Sequence, residues 1–220
     1  MILEQVCNVC KRVREQSPVQ ATFRNLISRT RNTFKLYEFD IAIRSKKDKT
    51  LDSDKWYVMA YYDCENDRDQ DTAIEVIVYH NLKGDEPLGS HQITAFLTEI
   101  FDATVHEFKH QRQSVKRKYR VYSNAIKQPY KDYLEEDDEI DAYAFSIAVE
   151  LCRTLGKYRA LRYMHKMSAL AKLKFNSKYV SPCLAAYFGQ FGDLTNPIIR
   201  RLTKKVYVRL QKIDTDAVFV

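Results

Sequence analysis

The run His106-Glu107-Phe108-Lys109-His110 brings two imidazoles and a carboxylate together within five residues. On a helix, side chains four residues apart emerge one turn apart on the same face, so His106 and His110 can both reach one cation. A hydrolytic zinc ion takes three protein ligands and keeps a fourth position open for water. The two histidines supply two of the three. Glu107, beside them, is placed as a general base that takes a proton from zinc-bound water as it attacks a peptide carbonyl. The chemistry these residues point to is zinc-dependent hydrolysis of a peptide bond.

The third ligand must come from elsewhere, and the stretch Glu135-Glu136-Asp137-Asp138-Glu139-Ile140-Asp141 offers one. Glu139 is the first choice, with Glu136 and Asp138 as alternatives. It opens a helical pattern in which the small Ala142 permits close approach to another helix. Tyr143, one turn after Glu139, shares its face; its hydroxyl could steady an oxyanion, or the ring could simply pack. An acidic helix N-terminus is also favoured by the helix dipole. Both roles are compatible, because only one carboxylate has to turn inward.

The pairing of His-Glu-Phe-Lys-His with the later Glu-Ile-Asp-Ala-Tyr-Ala-Phe resembles the gluzincin metallopeptidases, whose second motif is a Glu followed three residues later by Ala. Compact members include the ImmA/IrrE-type peptidases and small zincin-like proteins of phage genomes. Across roughly residues 70–155, the resemblance implies Zn2+ on His106, His110 and Glu139, with Glu107 catalytic. It also implies an antiparallel sheet whose edge strand, here Ala73–Tyr79, pairs with an extended substrate, and a phage-encoded protein of the host cytoplasm. One departure stands out: Tyr143 occupies a place where many relatives carry Asp or Asn, so a partner that orients a histidine ligand is not identified. No Gly-x-x-His follows His110, which argues against a metzincin.

These residues need elements to hold them. Ile2, Leu3, Val6, Val9, Cys10 and Val13 carry a helical period, and Ser17-Pro18 reads as the cap and first residue of a second helix with Val19, Phe23, Leu26 and Ile27 inward. Alternation at Tyr37, Phe39, Ile41 and Ile43 predicts a strand, Ser45–Asp54 a polar loop, and Trp56–Tyr62 and Ala73–Tyr79 two more strands in an antiparallel meander. Ser90 is expected to cap a helix to about Gln113 with Ile93, Phe96, Leu97, Ile100, Phe101, Val105 and Phe108 on one stripe, His106 and His110 off it. After an irregular stretch at 114–136, Asp137 or Asp138 caps a helix to Leu155 that Gly156 ends. Further helices are expected at 158–174 and 181–189, with a last one opened by Asn196-Pro197. The expected fold is α+β and zincin-like, a small antiparallel sheet with an active-site helix and a helical C-terminal half. It forms one domain over 1–220: N-terminal helices 1–34, sheet 35–80, metal-site helices 90–155 and C-terminal helices 156–220.

A chain of 220 residues can bury a core without disulfides. Five cysteines at irregular spacing suggest reduced thiols and a cytoplasmic setting. Cys7-x-x-Cys10 lacks nearby ligands for a zinc knuckle and reads as two buried thiols. The N-terminus has no basic leader followed by an apolar core, and no apolar run approaches the roughly 20 residues of a membrane helix. A net charge of +7 permits but does not establish contact with nucleic acid. The basic run Lys109, Arg112, Lys116, Arg117, Lys118 and Arg120, with Tyr119 and Tyr122 interleaved, could hold a nucleic acid or acidic partner. It could equally be a solvated face paired with the acidic run. The expected partner is a protein or peptide substrate. The rival readings are a catalytically inactive zincin-fold binding, virion or regulatory protein, and a nucleic-acid-associated protease.

Overall fold

In the computed structural model, which describes residues 2–18, 20–120, 129–170 and 180–218, three strands and a majority of helix make a mixed α+β protein. The chain divides into two compact units, residues 1–121 and 122–219.

In the first unit, α1 (Ile2–Glu15) follows its period, burying Val6, Cys7, Val9, Cys10 and Val13. The second helix does not begin at Pro18. The Ser17 hydroxyl is spent on α1, donating to the Val13 carbonyl at 2.7 Å. Thr22 instead caps α2 (Phe23–Leu36), its side chain accepting from the Asn25 N–H. Val19 lies outside the described residues. Tyr37 and Glu38 are not strand either: helix bonding persists to Tyr37, and Glu38 turns left-handed at φ 58°. Alternation therefore takes hold only at β1 (Ile41–Lys47), which runs on into the expected loop.

The strands β2 (Trp56–Tyr62) and β3 (Ile74–His80) form as the pattern predicts, but the sheet is not an antiparallel meander. Its order is β1-β3-β2, with β3 parallel to β1 and antiparallel to β2. The composition of the strands accounts for this. β3 buries Ile74, Val76 and Val78 almost completely, the most apolar pattern of the three, and takes the centre. β1, with Arg44, Lys46 and Lys47, blunts an edge. A short helix, α3 (Cys64–Arg68), capped by Asp63, connects β2 to β3 and was not foreseen. Residues 73–79 thus have neighbours on both sides, and an extended substrate cannot add there as it would to an edge strand.

Across the sheet lies α4 (Ser90–Lys116), packed against β2, β3 and α1. Gly89, not Ser90, is its N-cap, and the Gln92 side chain accepts the Gly89 N–H at 2.8 Å. Phe23 of α2 meets Phe96 of α4 edge-on at 5.8 Å. The helix ends where Lys118 and Tyr119 both adopt left-handed backbone, at φ 56° and 58°.

The second unit is helical. Within the irregular stretch, α5 (Tyr130–Glu135) forms. α6 (Asp137–Leu155) buries Ile140, Ala144, Ile147, Ala148 and Leu151, and Gly156 ends it at φ 74°. Its N-cap is Glu136, so Asp137 and Asp138 sit in the first turn rather than capping it. α7 (Lys157–Leu170), α8 (Pro182–Phe191) and α9 (Pro197–Lys212) pack on α6. Residues 171–174 of the helix expected at 158–174 lie outside the described residues. Asn196 caps α9 through the Ile198 N–H, and Ile199, Leu202, Val206 and Leu210 enter the core.

Glu150 ties α6 to α8. Its buried carboxylate accepts from the fully buried Ser181 hydroxyl and from the Cys183 N–H at 3.3 Å, while Ser181 in turn caps α8 at the Leu184 N–H. Replacing Glu150 with Ala strands those donors away from water. The expected loss is about 1–3 kcal/mol of unfolding free energy in urea titration, and an unchanged midpoint would contradict this role.

Candidate metal centre

The stripe of α4 decides where its histidines go. Ile93, Phe96, Leu97, Ile100, Phe101 and Val105 are buried, which leaves His106 and His110 half-buried beside the stripe. Their Nε2 atoms face each other at 3.1 Å, with ring centroids 4.8 Å apart and planes at 69°. Two nitrogens each bonded to a tetrahedral zinc ion at 2.0–2.1 Å stand about 3.3 Å apart. The imidazole pair therefore already has the spacing of two ligands on one ion. Glu107, between them in sequence, is a buried carboxylate at 8% exposure.

Glu139, in the first turn of α6, is the buried member of the acidic run at 6% exposure; Glu136 and Asp138 are half-buried, and Glu135 and Asp137 exposed. One ligand atom from each of His106, His110 and Glu139 can be chosen so that all lie within 4.8 Å of one another, a group that could hold a metal ion. Two imidazole nitrogens and one carboxylate oxygen make a donor set suited to zinc.

Tyr143 lies one turn beyond Glu139, its ring edge-on to Tyr187 at 5.3 Å. Burial, with the charges of Tyr130, Cys183 and Glu139 behind it, raises its pKa well above the ordinary phenol value. The hydroxyl therefore keeps its proton and remains a donor. Two carboxylates of the acidic run pair with α9: Asp137 with Arg201, and Asp141 with Arg209 at 2.7 Å and with Lys205 at 3.5 Å. Within the basic run, Lys109 to Lys116 lie on α4 and Arg117 to Arg120 in the turn after it, while Tyr122 lies outside the described residues. Cys7 and Cys10 are buried, unbridged thiols, as expected.

Glu99, two turns before His106 on α4, belongs to no motif that would mark it in the sequence. Burial first, and the neighbouring Asp102 second, push its carboxyl pKa up to about 7. The folded protein thus binds a proton there that the unfolded chain gives up near pH 4.5. Between those values stability from this group falls as pH rises, and it is lost as pH passes 7. A Glu99→Gln variant should show a smaller drop in urea midpoint between pH 5 and pH 8 than the wild type; an identical drop would contradict this.

No family model, curated protein or solved structure matches the chain. No helix among the described residues is long and apolar enough to cross a membrane.

Proposed function

We propose that the chain is a zinc-dependent peptidase of zincin type. The observation that carries this reading is the group formed by His106, His110 and Glu139, with buried Glu107 inside the five-residue motif. His106 and His110 would hold the ion through Nε2 and Glu139 through a carboxylate oxygen. When bound, zinc would supply Lewis acidity, making a water acidic near neutral pH and stabilising negative charge on a peptide carbonyl oxygen.

The remaining work falls to the chain. The Glu107 carboxylate accepts the proton of the attacking water and passes it to the leaving amine nitrogen. The protonated Tyr143 hydroxyl is the candidate donor to the developing oxyanion. Burial of Glu107 limits the access of competing solvent to its carboxylate. An extended substrate, if it adds to the sheet, uses β1 or β2, the two strands with an open edge.

The zinc-loaded protein should cleave reduced, denatured casein. Activity should vanish on dialysis against a strong zinc chelator and return with one equivalent of zinc. Cleavage that persists unchanged in chelator-treated, metal-free protein would remove the proposal.

A further inference from the structure

A second feature of the first unit has no part in the metal chemistry. Beside α2 and the ends of β1 and β3 lies a groove of about 440 Å3, within the size range of small-molecule sites. Arg24, Arg31, Lys47 and His80 line it, together with the hydroxyls of Ser28 and Ser45, and no acidic side chain does. These residues come from three different elements, so the sequence shows no basic cluster here. The fold alone brings them together.

One of these cations is anchored and a second has a defined neighbour. Arg31 donates from Nε to the Ile43 carbonyl at 3.0 Å, which moors its guanidinium against β1. Arg24 lies over Gly84, where an added methyl group would come within 3.1 Å of its terminal nitrogen. The His80 ring packs on Phe23 at 4.5 Å. Burial lowers the His80 pKa, and the positive charge of Lys47 lowers it further. Neither Arg24 nor Lys47 has a carboxylate partner among the described residues. Three permanent cations lining one concavity repel one another, and an anion of comparable charge relieves that repulsion. Arginine forks and serine hydroxyls are the donors that recognise phosphate oxygens.

We propose that this groove binds a small molecule bearing a diphosphate or triphosphate group, with Arg24, Arg31 and Lys47 holding the phosphates. The site shares no residue with the candidate metal centre, so it stands or falls independently of the peptidase reading.

Isothermal titration of the full chain with inorganic pyrophosphate, then with ADP, tests this. The wild type should bind both, and R24Q/K47Q should bind about tenfold or more weakly. K35Q, on the same helix outside the groove, should match the wild type. Gly84→Val, which crowds Arg24 without changing charge, should also weaken binding. Equal thermal midpoints for the variants would exclude misfolding as the cause. Absence of pyrophosphate binding to the wild type would overturn the proposal, as would R24Q/K47Q binding with wild-type affinity. A single-stranded oligonucleotide displacing ADP at lower phosphate concentration than pyrophosphate does would also overturn it, by assigning the groove to a nucleic-acid backbone.

Discussion

Glu107→Gln is expected to lower kcat on a protein substrate by about a hundredfold to ten-thousandfold while zinc content stays at the wild-type level. The amide has nearly the size and shape of the carboxylate it replaces but cannot take a proton from water. Because Glu107 is buried, its environment does not supply bulk solvent as a substitute base. It directly follows His106 in the motif, and it need not ligate the ion itself. Retained zinc with lost turnover separates the base from the ligands. A Glu107→Gln protein that cleaves casein as fast as wild type would show that the proton goes elsewhere, and the general-base role would be withdrawn.

The second large effect is on the metal. His110→Ala removes one of two nitrogens that stand 3.1 Å apart, leaving an imidazole and a carboxylate. Loss of an outer-shell partner of a metal ligand already costs about 10–100-fold in affinity, so loss of a ligand should cost more than about a hundredfold. Competition with a chromogenic chelator should show this, and elemental analysis after dialysis should find little zinc in the variant. Lys109→Ala, on the same helix and next to His110, should keep its zinc. His110→Ala retaining one equivalent at wild-type affinity would mean that the histidine pair does not bind the ion.

Much of the candidate site is legible in the sequence, because helical geometry is local. Four-residue spacing fixes His106 and His110 on one face whatever the rest of the chain does, and the apolar stripe from Ile93 to Val105 determines which face is buried. Glu139 was one carboxylate among several in the sequence. Its burial, against the greater exposure of Glu136, Asp137 and Asp138, is a tertiary result that spacing does not carry.

The sheet shows the opposite case. The sequence pattern placed β2 and β3 closely and β1 only in part, because a strand's two faces are local. Strand order is not local: nothing in the period of residues 74–80 says that they pair with both β1 and β2. The cue that was present, the stronger apolar character of Ile74, Val76 and Val78 beside the lysines of β1, separates centre from edge once it is weighed. Ser17 misled for a related reason. A serine before proline is a good cap in isolation, but its hydroxyl had a nearer acceptor in the last turn of α1. Arg24, Arg31 and Lys47 were invisible as a group because their shared groove depends on how α2 lies against the sheet.

X-ray absorption spectroscopy at the zinc edge, on protein loaded with one equivalent of zinc, tests the central claim most directly. The expected first shell is two imidazole nitrogens and carboxylate oxygen at about 2.0–2.2 Å, with one further light atom, and Glu139→Ala should change that shell. Protein that takes up no zinc would contradict the account, as would a shell with sulfur ligands or one identical in wild type and Glu139→Ala.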